Sequence, residues 1–133
     1  MIGSVVVDTD VASFIFKRDT RASLYDPYLS ARIPVLSFQT VAELEQWAEV
    51  RAWGGRRRSE LETFLSTFVI VESDRDLCRT WGRIGAEAKQ QGHPIDAADA
   101  WIAATAIKYG APLVTHNGSD FRWVAGLTVI SHP

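Results

Sequence analysis

Short apolar runs alternate with helical segments along this 133-residue chain. The apolar runs predict strands at residues 2–7, 35–37, 68–71, 113–115 and 127–130. Helices are predicted at residues 11–17, 22–30, 41–52, 61–67, 76–90 and 96–109. Strands that alternate with helices are typical of a parallel sheet with helices on both faces. We therefore predict a three-layer α/β/α fold around a four- or five-stranded parallel sheet, forming one domain over residues 1–133.

Polar residues follow two of the predicted strands. The segment "VVVDTDVASF" at 5–14 ends a valine strand on an acid, and "THNGSDF" at 115–121 follows the fourth strand. Ligands of parallel sheets bind beyond the carboxyl ends of the strands. Two more acids open predicted helices, one in the third helix and one in the alanine-rich helix. The candidate acids are Asp8, Glu43, Asp99 and Asp120.

Each helix or loop acid also has an ordinary structural interpretation. Thr40 and Glu43 have the spacing of a capping box, in which Glu43 bonds back to the Thr40 N–H. Asp96 and Asp99 share this spacing, so Asp99 is also explained as an acid that stabilises a helix N-terminus. Asp120 follows an Asn-Gly pair and is also explained as a turn residue. No single acid therefore establishes a site.

The acids taken together favour a metal site. Asp99 lies within "AADAWIAATA", a helix so apolar that it must be largely buried, and a buried carboxylate is costly unless it is paired or bound to a cation. Several carboxylates in one cleft repel one another, and a hard divalent ion relieves that repulsion. Oxygen ligands without a His or Cys cluster favour Mg²⁺ or Mn²⁺ over zinc.

Asp8 has two other interpretations. Thr9 or Asp10 could simply cap the following helix, or Asp8 and Asp10 could form the Asp-x-Asp of a haloacid-dehalogenase phosphatase, with Asp8 as nucleophile. That motif needs Thr or Val where Ala12 stands. Such phosphatases, like response-regulator receivers, also use a lysine after a strand, which this chain lacks, and there is no glycine-rich phosphate loop. Asp8 is therefore interpreted as a metal ligand, with Thr9 or Asp10 starting the helix.

Four segments carry motifs, namely "VVVDTDVAS", "TVAELEQWA", "PIDAADAWIAATA" and "LVTHNGSDF". In this order they resemble the PIN-domain nucleases, and more narrowly the VapC-type toxin ribonucleases of bacterial and archaeal toxin–antitoxin pairs. The resemblance runs nearly from end to end, although residues 51–91 carry no matching motif. It implies metal-site acids at Asp8, Glu43, Asp99 and Asp120, with polar lining positions at Thr115 and Asn117. Asp96 is an additional acid that many relatives lack, and we place it among the supporting residues.

The resemblance implies a metal-dependent endoribonuclease. Asp8 and Asp99 would hold the first Mg²⁺ or Mn²⁺ ion most directly, and Glu43 and Asp120 would complete the cluster, partly through waters. A bound divalent ion lowers the pKa of its water and neutralises charge on the phosphate. The alternative is a degenerate PIN-like domain that binds RNA or a protein partner without catalysis. The presence of all four acids favours the enzyme.

The implied partners are an RNA substrate, with tRNA or rRNA as the structured RNAs that the resemblance suggests, a cognate VapB-type antitoxin and a second copy in a homodimer. The segment "RAWGGRRR" is the densest basic cluster, and we predict that it forms a glycine-broken turn. Arginines pair with phosphates, and tryptophans stack on bases or form protein interfaces. The candidate RNA- or partner-binding residues are Arg51, Arg56, Arg57, Arg58, Trp47 and Trp53.

Composition narrows the function classes further. The net charge of −2 argues against a protein that coats nucleic acid, but it permits a local basic patch. Cys78 is the only cysteine, which excludes an internal disulfide, and we predict that it is a small buried residue. No apolar run reaches the length of a membrane span or of a signal-peptide core, so we expect a cytoplasmic protein. His116 beside the cleft is expected to be a surface or supporting residue rather than a base.

Overall fold

The computed structural model describes residues 3–133. The strands are β1 Ser4–Val7, β2 Ile33–Ser37, β3 Val69–Val71, β4 Leu113–Val114 and β5 Val129–Ile130. The helices are α1 Thr9–Phe16, α2 Asp26–Leu29, α3 Phe38–Val50, α4 Gly55–Leu65, α5 Arg75–Gln90 and α6 Ala97–Lys108. Two short 3₁₀ helices span Thr20–Leu24 and Gly118–Phe121. The predicted strand start at Ile2 lies outside the described residues.

The five strands form one parallel sheet in the order β3-β2-β1-β4-β5. This confirms the predicted α/β/α class and the five-stranded form of the sheet. The chain builds outward from β1 in one direction through β2 and β3, and in the other through β4 and β5. The order therefore reverses between β1 and β4, and such a switch point opens a crevice for ligands beyond the strand ends.

The valines of β1 are buried on both faces of the sheet. Val5, Val6 and Val7 are each 0% exposed. Val6 belongs to the apolar cluster that includes residues of α5 and α6, whereas Val5 and Val7 belong to the cluster that includes residues of α1, α3 and α4. Because successive side chains in a strand point to opposite faces, an uninterrupted apolar run is the expected sequence of a doubly covered strand.

The single helix predicted at residues 22–30 is wrong. A 3₁₀ helix over Thr20–Leu24 is followed by the one-turn helix α2, and fully buried Tyr25 lies between them. Pro27 lies at the start of α2. Proline has no N–H to donate and is tolerated only in the first turn of a helix, so a longer continuous helix through this position is disfavoured.

Helix α4 begins at Gly55, well before the start predicted at residue 61. The glycine-broken turn is therefore wrong for Arg56, Arg57 and Arg58, which lie in the first turns of this helix. Only Leu61 and Leu65 of α4 are buried. The apolar periodicity consequently marks the second half of the helix and gives no signal for its arginine-rich first half.

Helix α5 is amphipathic, with Leu77, Ile84 and Ala88 buried. Cys78 follows the first of these residues and is exposed, so the prediction of a buried cysteine is wrong. The residue after a buried helix position turns by about 100° around the axis, which carries Cys78 away from the core. Within residues 3–133, no helix is both long and apolar enough to span a membrane.

Candidate metal centre and active site

Asp8 directly follows β1 at the switch point between β1 and β4. It is 6% exposed, and its Oδ1 accepts a hydrogen bond from the Thr9 backbone N–H at 2.7 Å. Its Oδ2 accepts a hydrogen bond from the Thr115 hydroxyl at 2.6 Å. Helix α1 begins at Thr9, one of the two predicted starts, but its N-cap is Asp8 rather than Thr9 or Asp10. Asp8 thus joins the ends of two neighbouring strands at the base of the crevice.

Glu43 is held by α1 rather than by a capping box. The N-cap of α3 is Ser37, whose hydroxyl accepts from the Gln39 backbone N–H at 3.1 Å, so the capping-box interpretation is wrong. Thr40 is fully buried, and its hydroxyl lies 2.9 Å from the Thr9 hydroxyl. The Thr9 hydroxyl donates to Oε2 of Glu43. The carboxylate of Glu43 is consequently drawn from α3 toward the end of β1.

Asp99 and Asp120 come from the far side of the crevice. Asp99 lies in the first turn of α6 and is half-buried. Asp120 lies in the 3₁₀ helix Gly118–Phe121 and is exposed. The N-terminal end of a helix carries partial positive charge, which favours a carboxylate in its first turn. Asp96 is the N-cap of α6, but its side chain makes no capping hydrogen bond.

Asp10 lines the same crevice, although the sequence suggested only a helix start or a phosphatase motif for it. Its Oδ2 accepts hydrogen bonds from the His116 backbone N–H at 3.0 Å and from Nδ2 of Asn117 at 2.9 Å. The imidazole Nδ1 of His116 lies 2.7 Å from the hydroxyl of buried Tyr25. His116 therefore has the expected supporting position. The second acid of "DTD" was the available signal, but its partners come from a distant part of the chain.

One cavity of about 340 Å³ collects these groups. It is lined by Asp8, Thr9, Asp10, Glu43, Gln46, Trp47, Asp99, Ile102, Asn117 and Asp120. All four candidate acids and Asn117 therefore lie around one space, which we call the acid cavity. Thr115 lies behind it, fully buried, and acts through its hydrogen bond to Asp8. Asp96 does not line the acid cavity but a neighbouring one.

The electrostatics of the acid cavity oppose full ionisation. Burial raises the pKa of Asp8 to about 7, and the charge of Asp10 adds to this shift. Burial raises the pKa of Asp99 to about 6, with repulsion from Asp120, Asp96 and Glu43 next in importance. Burial also raises the pKa of Asp10. These shifts report negative charge that the protein alone does not compensate, and a bound cation would compensate it.

The predicted basic residues differ in their surroundings. Arg58 is a structural residue, because its guanidinium donates to the carbonyls of Trp53 at 3.0 Å and Ala48 at 3.3 Å near the end of α3. By contrast, the guanidinium carbon of Arg51 lies 5.1 Å from the centre of the Trp47 ring, and Nζ of Lys17 lies 5.0 Å from the same centre. Because Trp47 lines the acid cavity, these two cations lie beside it.

The other two arginines lie in the first turn of α4. Arg56 and Arg57 both approach Glu60, at 3.6 Å and 2.9 Å respectively. The guanidinium of Arg57 lies 4.1 Å from the Phe16 ring centre and 5.1 Å from that of Trp53. Arg57 therefore packs over aromatic rings between α1 and α4, whereas Arg56 has its side chain 96% exposed.

The model of the PIN domain family matches residues 5–127. Among known proteins, Ribonuclease VapC2 of Haemophilus influenzae is 32% identical over 122 residues, with 92% of each chain covered. This chain belongs to the PIN-domain family, among the VapC ribonucleases. The tRNA(fMet)-specific endonuclease VapC of Shigella flexneri is 30% identical over 123 residues, again with 92% of each chain covered. A toxin–antitoxin complex from Klebsiella pneumoniae contains a similar chain, with a TM-score of 0.76, 25% identity and coverage of 96% and 97%.

PIN-domain nucleases generally depend on a divalent metal, and the donor chemistry of the acid cavity fits one. Carboxylate and amide oxygens are the ligands of hard divalent ions. Among residues 3–133, no three acidic, imidazole or thiol side chains converge closely enough to hold one ion as they stand. An ion shared by several acids therefore requires their side chains to turn into the cavity. Asp8 and Glu43 would then exchange hydrogen bonds from threonines for the ion.

Proposed function

We propose that this chain is a metal-dependent endoribonuclease, the toxin of a VapBC-type toxin–antitoxin pair, and that it hydrolyses RNA at the acid cavity. The observation that carries the proposal is the meeting of four acids from four separate segments at one switch point: Asp8, Glu43, Asp99 and Asp120. The named ribonuclease relatives support the reaction class. We further propose that residues 1–133 form a single PIN domain that works in the cytoplasm.

The proposed cofactor is Mg²⁺ or Mn²⁺. Asp8 and Asp99 hold it most directly, and Glu43 and Asp120 complete the cluster. Burial, and after it the charge of neighbouring acids, raises the pKa of Asp8 and Asp99, and a bound cation would offset both effects, which supports this assignment. When bound, such an ion supplies a more acidic water and a positive charge beside the scissile phosphate.

The residues around the acids orient them. Without metal, the Thr115 hydroxyl holds Asp8 through its 2.6 Å hydrogen bond, and the Thr9 hydroxyl holds Glu43. Asp10 accepts from the amide of Asn117 at 2.9 Å and so keeps the loop after β4 against α1. These hydrogen bonds hold the segments that carry the acids in place before RNA binds, and only side-chain rotations then remain for the binding of an ion, which limits the entropic cost of reaching the transition state.

Lys17 and Arg51, which lie over the Trp47 ring, bind the RNA beside the acid cavity. Phosphates pair with these cations and a base stacks on the tryptophan, while the overall charge of −2 limits binding elsewhere. The proposed substrate is a structured RNA, tRNA or rRNA. The similar protein from Shigella flexneri is described as specific for tRNA(fMet), which supports the tRNA alternative.

The proposed antitoxin site is a groove of about 1020 Å³ between α1 and α4. Phe16, Phe64, Arg56 and Arg57 are among the residues that line it, so it offers apolar surface beside positive charge. An amphipathic antitoxin helix with acidic residues on its rim would match both. The similar chain in a toxin–antitoxin complex from Klebsiella pneumoniae supports such a partner. We also propose that the chain forms a homodimer.

The deciding experiment is the cleavage of total RNA by purified protein with Mg²⁺ or Mn²⁺, with the new ends mapped at nucleotide resolution. We expect discrete cuts that disappear with Asp99→Asn, made in parallel. RNA binding without any cleavage would instead support the degenerate PIN-like domain. Expression alone and together with the neighbouring reading frame tests the toxin assignment, because growth arrest should appear only without the partner. Co-purification of the two proteins tests the complex directly.

A further inference from the structure

A second cavity adjoins the acid cavity and has no role in the proposed metal chemistry. Its volume is about 400 Å³, within the range of small-molecule sites. It lies between the end of α5, the start of α6 and the segment after β4. Asp99 and Asp120 line both cavities, so the second cavity directly adjoins the proposed metal site. We call it the side cavity.

An aromatic pair forms part of the wall of the side cavity. The rings of His93 and Trp123 stack with centres 3.8 Å apart and planes only 3° from parallel. Trp123 is nevertheless 47% exposed, and the guanidinium of Arg122 lies 5.2 Å from its ring centre. An exposed stacked pair with an adjacent cation is the combination on which nucleic-acid bases stack while their phosphates are neutralised.

The lining of the side cavity also includes the carboxylate of Asp96, which no described protein group binds. Asp96 is exposed and makes no capping hydrogen bond to α6. Within the described part of the chain, no hydrogen bond or ion pair engages its carboxylate, whereas Glu87 of the same cavity lies 3.7 Å from Arg83. An ionised carboxylate only accepts hydrogen bonds and has two oxygens to offer. Of the four RNA bases, only guanine presents two adjacent N–H donors on its Watson–Crick edge.

We propose that the side cavity binds a guanine base next to the scissile phosphate. Trp123 and His93 provide the stacking surface, and Asp96 accepts from the N1–H and the 2-amino group of the guanine. Arg122 faces an adjoining phosphate. This inference rests on the proposed ribonuclease function and deepens it, because it names a base that the enzyme recognises at the cut. It also gives a role to Asp96, the acid that the family resemblance leaves unassigned.

The test begins with the mapped ends of total RNA cleaved by the wild-type protein. We expect the cuts to share a guanosine at one fixed position beside the broken bond. A short RNA containing such a site is then made with guanosine, inosine or an abasic residue at that position. Trp123→Ala should lower kcat/KM on the guanosine RNA by about 5- to 150-fold, the usual effect of losing one base stack. On the abasic RNA it should change kcat/KM by less than about twofold, because no base remains to stack.

Two further variants separate stacking from hydrogen bonding. Trp123→Phe should recover much of the lost activity, because a ring is retained. Asp96→Ala should lower kcat/KM more on the guanosine RNA than on the inosine RNA, because inosine lacks the 2-amino group. Tyr109→Ala is the matched control, since Tyr109 is an aromatic residue of similar exposure, 48%, that lies outside both cavities. It should leave all three RNAs unaffected.

The failures of the two proposals are distinguishable. If the wild-type protein cuts RNA but the cuts share no guanosine, the guanine site is refuted and the ribonuclease stands. An equal loss on guanosine and abasic RNAs with Trp123→Ala also refutes it, because the residue would then act on the fold alone. Thermal melting of each variant identifies that case. If the wild-type protein cuts no RNA with either metal, the proposed function fails and the guanine site fails with it.

Discussion

At the scale of single residues, Asp8 shows how one side chain serves both the fold and the site. It caps α1, links the end of β1 to the end of β4 by accepting a hydrogen bond from the Thr115 hydroxyl, and lines the acid cavity. Its two hydrogen bonds lower the pKa, but burial and the charge of Asp10 outweigh them and raise it to about 7. The energetic cost of the charged form is therefore present in the folded, metal-free protein and absent from the unfolded chain.

This cost predicts a pH-dependent stability. Because the pKa of Asp8 is about 7 in the folded protein and 3.8 ordinarily, the folded state binds more protons between these values. Its stabilising contribution is full below about pH 4 and is lost as the pH rises through about 7. We expect the difference in the free energy of unfolding, wild type minus Asp8→Asn, to fall by about 2 kcal/mol between about pH 5 and pH 7. Urea unfolding with chelator present measures it, and a constant difference would contradict it.

Asp99 leads to a test of the catalytic assignment. Asp99→Asn removes charge from the metal site at nearly constant volume, and we expect RNA cleavage to fall by more than about 100-fold. The pKa of Asp99 is raised to about 6, so the variant should be at least as stable as wild type at neutral pH without metal. Glu72→Gln is the matched control, since Glu72 is exposed and outside the acid cavity. Unchanged cleavage by Asp99→Asn would exclude Asp99 from the site.

At the scale of elements, the segment after β4 decides whether the site is assembled. The Thr115 hydroxyl binds Asp8, Asn117 binds Asp10, and Asp120 follows in a 3₁₀ helix. This segment is held from behind, where the Gly118 backbone N–H donates to the Ser131 hydroxyl at 3.3 Å. The C-terminal strand and tail thus position three site residues without contributing one themselves.

This contact requires a glycine at position 118, because it leaves no room for a side chain. A Cβ added there would lie 2.8 Å from Cβ of Ser131, closer than two carbon atoms can pack. We expect Gly118→Ala to cost about 1–3 kcal/mol of stability and to reduce cleavage by displacing Asn117 and Asp120. Adding Ser131→Gly should restore both in part, because it removes the obstructing atoms but also the hydroxyl that accepts from the Gly118 N–H. Gly85→Ala, with open space around the added Cβ, is the control and should be neutral or stabilising.

At the scale of the whole molecule, the acid cavity is mounted on an already packed sheet. The two apolar clusters together bury Val5, Val6 and Val7 of β1, and none of the four acids belongs to either cluster. A metal at this site is therefore expected to serve the reaction rather than the fold, unlike a structural zinc.

Chelation should accordingly stop cleavage without unfolding the protein. We expect the melting temperature to rise with added Mg²⁺ or Mn²⁺, because binding to the folded state alone stabilises it by mass action. The rise should be smaller for Asp99→Asn, which lacks one ligand charge. Melting curves across a metal titration, with RNA cleavage followed in the same samples, provide the measurement. Collapse of the fold on adding chelator would assign the metal a structural role instead.

Much of this protein was determined by local sequence pattern. The valine run before Asp8, the alternation of strands and helices and the alanine-rich helix predicted the parallel α/β/α class, because these patterns reflect burial along the chain itself. The resemblance of four short segments identified the acids that the fold brings to one cavity. The prediction failed at the polar first half of α4, where the local pattern was weak, and at the exposed Cys78, where it followed the residue type rather than the position on the amphipathic helix.

Tertiary structure alone decided which polar groups meet. Thr40 and Glu43 have the spacing of a capping box, yet Ser37 caps the helix, and Thr40 instead contacts Thr9 from another part of the chain. Asp10 was indistinguishable from a helix start until its contacts with residues 116–117 were known. Likewise, nothing between residues 93 and 123 links them in sequence, although their rings stack beside the acids. Such pairings depend on strand order and helix packing, which place distant residues together, and no pattern read along the chain contains that information.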